Sequence, residues 1–256
     1  MPSRSERKLW RSLRRRKGRD AAGLFLAEGP RLLEELLSAG HAIEAVLHTP
    51  DAGDDPAVRD LLQRARDAAV RVEPVERRTL EEIADAGTPQ AVLAIAPIPA
   101  WSWEDVPPGP LVLLDGVQDP GNAGGLTRTA AALGAAGVVS LEGSADPWGP
   151  KAVRASAGAA LRRPVFRADR ASTVAELARR RVPIWVADVS GEPLSRGAGR
   201  VDRVAIALGS ETHGVSPEVA AAAERSISIA MHGGVESLNV AAAGAILLDR
   251  LIGPGD

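Results

Sequence analysis

Five prolines fall between Pro97 and Pro110, with Trp101 and Trp103 among them. Proline has a fixed φ and no backbone N–H, so neither a helix nor a central strand can run through this stretch. The chain is therefore expected to fold as two pieces joined here, and 256 residues are enough for each to bury its own core. The expected division is a basic arm over 1–20, one α/β domain over 21–98, a linker over 99–110 and a second α/β domain over 111–256. Large aromatics usually bury, so the two tryptophans are expected to dock on a domain rather than stack on bases.

Short helices and strands alternate before the break. Pro30 can open a helix carrying Leu32, Leu33, Leu36 and Leu37 on one face. Residues 43–47 and 91–96 read as strands and 56–69 as a helix, and Thr79 with Glu82 reads as a capping box opening a short third helix. After the break, strands are expected at 111–115, 138–141, 183–188, 204–208 and 226–229. Helices are expected near 123–133, 151–156, 174–181, 217–224 and 238–251. Such alternation implies a mainly parallel sheet. Ser216 before Pro217 is an N-cap followed by a proline at the first helical position.

Cysteine is absent, which excludes disulfides and thiolate chemistry, and the four histidines show no metal-ligand spacing. No apolar run approaches the roughly 20 residues that span a bilayer. The stretch 21–27 ends at Glu28 without a cleavage signal, so a cytoplasmic protein is expected. Net charge is −2, but residues 1–20 hold nine basic side chains against Glu6 and Asp20, +7 in all, which leaves −9 elsewhere. The arm reads either as an electrostatic footprint for phosphates or as a solvated tail.

Three segments at expected strand ends are rich in Gly, Asn, Ser and Glu: 115–128, 208–216 and 229–240. Open α/β sheets bind ligands there. Gly121, Gly124 and Gly125 do not match G-x-G-x-x-G and no Gly-Lys-Ser/Thr follows, which disfavours a nicotinamide oxidoreductase or a P-loop enzyme. Taken singly, Asn122 could be a helix cap and Arg128 a surface cation.

In this order, however, the segments resemble the three signature motifs of the TrmH-like branch of the SPOUT RNA methyltransferases. Asn122 and Arg128 match the first motif, Gly209, Glu211 and Gly214 the second, and Ile229, Met231, Ser237, Leu238 and Asn239 the third. Residues 146–158 are similar to the family's intervening segment. Phe25-Leu-Ala-Glu-Gly29 is similar to the opening of the ribosomal-protein-L30e-like domain that many of these enzymes carry. Departures are Thr212 and His213, where small residues are common, and Ala230, where proline is usual.

The resemblance implies an L30e-like α/β domain followed by a parallel α/β domain whose segment 205–240 forms a deep trefoil knot. It implies methyl transfer from S-adenosylmethionine to a ribose 2'-hydroxyl of RNA, without a metal or a membrane, by a homodimer formed through the C-terminal domain. The 2'-hydroxyl makes RNA rather than DNA the expected substrate. The favoured target is 23S ribosomal RNA. Alternatives are tRNA, or a non-catalytic RNA-binding protein with a decayed cofactor site, against which the intact motif residues argue. Gly209, Gly214, Ile229, Met231 and Leu238 are expected to hold the cofactor, and Asn122, Arg128, Glu211, Ser237 and Asn239 to perform the transfer. Because arginine stays protonated in proteins, Arg128 is expected to hold phosphate and ribose rather than act as base. Glu211 is expected to orient Arg128 or take the proton, while Ser237 and Asn239 hold ribose hydroxyls and the cofactor carboxylate.

Overall fold

The computed structural model describes residues 2–195, 200–231 and 237–253. In chain order the elements are α1 (Arg4–Ser12), α2 (Arg16–Ala22), β1 (Leu24–Glu28), α3 (Pro30–Ser38), β2 (Ala45–His48), α4 (Pro56–Asp67), β3 (Val72–Pro74), α5 (Arg77–Ile83) and β4 (Val92–Pro97). There follow β5 (Leu111–Asp115), α6 (Pro120–Ala132), β6 (Gly137–Leu141), α7 (Pro150–Ser156), β7 (Val165–Ala168), α8 (Arg170–Arg179), β8 (Ile184–Pro193), β9 (Ala205–Gly209), α9 (Pro217–Ala221), β10 (Arg225–Ser228) and α10 (Val240–Ile252). They form two compact units, Met1–Ala100 with Trp148–Leu161, and Trp101–Pro147 with Arg162–Asp256.

The first unit is built on a four-stranded sheet, order β1-β4-β2-β3. β4 runs antiparallel to both β1 and β2, and β3 pairs parallel to β2. The arm is not a tail. Trp10 and Leu13 are fully buried against Leu26, Leu47, Leu93 and Ile95, so α1 completes this core. A capping box starts α1: Ser3 Oγ accepts from Glu6 N at 3.2 Å, and Glu6 accepts from Ser3 N at 2.6 Å. Glu6 also pairs with Arg71, whose hydrogen bond is the largest cause holding the Glu6 carboxyl down at about 2. Arg19 is buried and donates to the Leu13 carbonyl at 2.7 Å, and Arg14 donates to the Glu81 carbonyl at 2.7 Å. Two of the nine cations thus serve the fold, while Arg4, Arg7, Lys8, Arg11, Arg15, Arg16 and Lys17 are exposed. Thr79 opens no helix. It lies inside α5, whose first residue is Arg77 and whose N-cap position holds Glu76 with no side-chain cap bond.

Residues 148–161, although they lie beyond the proline break, belong to this first unit. Trp148 packs on Phe25 with ring centroids 5.0 Å apart, and Arg154 meets Glu28 at 3.0 Å and Asp85 at 3.1 Å. His41 Nε2 donates to the Leu161 carbonyl at 2.7 Å. Gly158 has φ +87°, and a β-carbon there would come within 2.5 Å of Glu35, so only glycine fits.

The second unit is a six-stranded parallel sheet, order β10-β8-β9-β5-β6-β7. β5, β6 and β9 are buried along their whole lengths, which explains their uninterrupted apolar runs. The chain fills one side of β5 with β6 and β7, then the other side with β8, β9 and β10. That reversal leaves a crevice beyond the carboxyl ends of β5 and β9. Helices α6 and α10 pack where Gly244 lets them approach, since a β-carbon there would fall 2.3 Å from Leu126. Trp103 docks as expected, edge-on to Phe166 at 5.3 Å and under the Arg180 guanidinium at 5.6 Å. β7 was not legible as a strand, and β8 is longer than its apolar stretch because it continues beside β10 through a bulge. Residues 232–236 of the segment expected to form the knot lie outside the described residues.

Candidate active site

The site is assembled at the switch point from the loop after β9 and the starts of α6 and α10. Gly209 ends β9, and a β-carbon there would sit 2.0 Å from the Gly214 backbone, so the loop can fold back only on glycine. Ser210 and Gly214 exchange backbone hydrogen bonds of 2.9 and 3.0 Å, and Gly214 has φ +67°. The loop's far end is held by Asp115, which is buried at the end of β5 and accepts from Ser216 N at 2.6 Å. Arg170 compensates that buried charge, Nε to Oδ1 at 2.8 Å.

Beside this loop lies a cavity of about 320 Å³, within the range of small-ligand sites. Its lining includes all five residues expected to hold a cofactor, Gly209, Gly214, Ile229, Met231 and Leu238, together with Ser237 and Glu211. Leu208, Ile227, Val240 and Leu247 supply further apolar wall.

At its rim three residues distant in sequence form one hydrogen-bonded cluster. Asn239 Nδ2 donates to Glu211 Oε1 at 3.0 Å and to Asn122 Oδ1 at 3.2 Å, and Asn122 Nδ2 donates to Glu211 Oε1 at 3.3 Å. Both asparagines are aimed by helix starts. Asp119 caps α6 by accepting from Asn122 N at 2.9 Å, which frees the Asn122 side chain for the cluster. Asn239 caps α10 with its Oδ1, accepting from Ala241 N at 3.0 Å, and turns its Nδ2 to the site. Two amide donors on one oxygen fix the Glu211 carboxylate, and Oε2, which has no partner among the described residues, can accept from a hydroxyl.

Arg128 is not brought to this cluster within the chain. It follows Asn122 by six residues on α6, about 120° round the helix. It is exposed, with no hydrogen bond or ion pair to any described residue. His213 lines the cavity and bonds Thr212 Oγ1 at 3.0 Å. Two groups were missed in the sequence. Asp115 looked like the last residue of a strand, and its partner Arg170 is far along the chain. Asp188, which also lines the cavity, ends the expected strand 183–188, so the rule that ligands sit at strand ends would have found it.

A parallel sheet with a ligand-sized cavity and a carboxylate–amide cluster at its switch point marks an α/β enzyme domain that uses a small bound molecule. Residues 109–249 match the SpoU rRNA Methylase family, and residues 5–94 match the MRM3-like substrate binding domain. The chain is 30% identical over 249 residues to a 23S rRNA (guanosine(2553)-2'-O)-methyltransferase, RlmP, of Bacillus subtilis, covering 95% of this chain and 94% of that protein. Among solved structures, the SpoU methyltransferase AviRb from Streptomyces viridochromogenes, in complex with the cofactor AdoMet, superposes with a TM-score of 0.87 at 26% identity, covering 97% of each chain. An AdoMet-bound rRNA methyltransferase from Sinorhizobium meliloti superposes with a TM-score of 0.82 at 27% identity, covering 98% of this chain and 95% of that one. The chain belongs to the SpoU rRNA methylase family, and it is an RNA methyltransferase.

Proposed function

We propose that the protein methylates a ribose 2'-hydroxyl of 23S ribosomal RNA, using S-adenosylmethionine. The observation that carries this reading is the convergence of Asn122, Glu211 and Asn239 at the rim of a cavity lined by Gly209, Gly214, Ile229, Met231 and Leu238. The cavity fits the cofactor in kind, with apolar walls for a base, close-approaching backbone at Gly209, and methionine sulfur at Met231. When bound, S-adenosylmethionine supplies an activated methyl group. The chain's own task is to hold the acceptor hydroxyl in line and receive its proton. Glu211 Oε2 is the acceptor for that proton, with Asn122 and Asn239 fixing the carboxylate. Ser237, on the cavity wall, binds the methionine carboxylate.

In this reading the protein is a cytoplasmic homodimer joined through the second unit, and residues 205–240 are threaded into a trefoil knot. Arg128, exposed on α6 and away from its own chain's cluster, holds the RNA phosphate in the partner's site. The first unit recognises the RNA, as its match to a substrate binding domain and its seven exposed cations on and around α1 and α2 support. Mapping 2'-O-methyl groups in total RNA with and without the gene tests the whole reading. One ribosomal site should lose its mark. Loss at a tRNA site instead would replace the target, and an unchanged map with no S-adenosylmethionine binding would replace the enzyme by a binding protein.

A further inference from the structure

The cavity has a second carboxylate for which the transfer cluster has no use. β8 pairs with β9 only as far as Val186, and its pairing with β10 shifts register between Val186 and Glu192. The excursion between them carries Asp188, and Ala187, Asp188 and Val189 all line the cavity. Asp188 Oδ1 accepts from Ser190 N at 2.8 Å and from Ser190 Oγ at 2.6 Å, which locks the carboxylate in place and leaves Oδ2 without a partner among the described residues. These bonds hold its carboxyl below the usual aspartate range, so it is ionised at neutral pH. Val189 beside it is 70% exposed, an apolar side chain left at the mouth.

Strand order gives the position of Asp188 along a bound ligand. Ile229 follows β10, Asp188 lies in β8, Glu211 follows β9 and Asn122 lies after β5, and these four strands are consecutive in the sheet. Neighbouring strands lie about 4.8 Å apart, so β10 to β5 spans about 14 Å. A ligand laid across the strand ends with its methyl group at the Glu211–Asn122 end puts its base against Ile229 and Ile227. The sugar that joins base to sulfur then falls at β8.

We infer that Asp188 accepts a hydrogen bond from a hydroxyl of the cofactor's own ribose, and so selects a ribonucleoside cofactor. The inference rests on the cofactor reading above, but concerns a residue outside the family motifs. A purely structural role for Asp188, closing the turn at Ser190, is the competing account. Asp188→Asn separates the two, because its amide oxygen still accepts from Ser190 while a neutral NH₂ replaces the charged acceptor facing the ribose hydroxyl.

The test is calorimetric binding of S-adenosylhomocysteine and of its 2'-deoxy and 3'-deoxy counterparts to the wild type, Asp188→Asn and Asp188→Ala. All three proteins should melt within a few degrees of one another. Hydrogen bonds to a charged group correspond to roughly a ten- to hundredfold change in affinity. Both variants should lose that much for S-adenosylhomocysteine, and the loss should vanish for the deoxy ligand that lacks the bonded hydroxyl. Equal losses for all three ligands, no loss in Asp188→Asn, or loss only with a collapsed melting temperature would each overturn the inference. Wild-type protein that binds none of the three would overturn the cofactor reading itself, a result distinct from the other outcomes.

Discussion

The carboxamide of Asn239 is divided between two tasks, its oxygen capping α10 and its nitrogen holding Glu211 and Asn122. Asn239→Asp keeps the cap but sets a second carboxylate against Glu211. The helix and melting temperature should survive, while methyl transfer to RNA falls by about a hundredfold or more, the scale seen when one positioned donor is removed. Asn239→Ala loses the cap as well and should cost a further ~1 kcal/mol of stability. Circular dichroism and transfer of labelled methyl groups check both. At this scale the three segments were legible because strand ends rich in Gly, Asn and Glu announce a site, and the family resemblance named the residues within them. Even the freeing of Asn122 had a signal, since Pro120 at the first helical position marks Asp119 as the cap. The Asp115–Arg170 pair had none, because 55 positions separate its members and no local pattern specifies such a contact.

Helix α1 shows where a charge run misleads. Periodicity would have revealed Trp10 and Leu13 on one face, but nine cations in twenty residues hid an amphipathic helix behind the appearance of a tail. Trp10→Ala should cost about 3–5 kcal/mol, measured by denaturant unfolding, so deleting the arm would test stability rather than RNA recognition. The cleaner probe replaces Arg4, Lys8 and Arg11, which are exposed and follow one another at helical spacing. If all three meet phosphates of a single strand, the slope of log affinity against log salt should flatten by about 2. An unchanged slope would remove α1 from the RNA interface. Acid should loosen the same helix. Glu6 has its carboxyl lowered to about 2, chiefly by Arg71, so its contribution is complete above the unfolded value near 4.5 and is lost as pH falls towards 2. Between pH 5 and 2.5 the wild type should lose stability faster than Glu6→Gln.

For the molecule as a whole, the two-piece division follows from the prolines, whereas the membership of 148–161 does not, because nothing local distinguishes a helix that packs on its sequence neighbours from one that packs elsewhere. A fragment starting near Pro107 contains every motif, yet it leaves Trp148 without Phe25 and Arg154 without Glu28 and Asp85. It should express poorly or bind dyes that report exposed apolar surface, and Trp148→Ser should lessen that binding. The same feature sets a schedule for synthesis. Residues 1–100 leave the ribosome well before α7, and at about 5–20 residues per second the remaining 61 residues to Leu161 take roughly 3–12 seconds. During that interval Phe25 and Glu28 wait uncovered, so the N-terminal half cannot finish folding on its own account, and a nascent chain stalled before residue 148 should be far more sensitive to protease than one stalled well beyond 161.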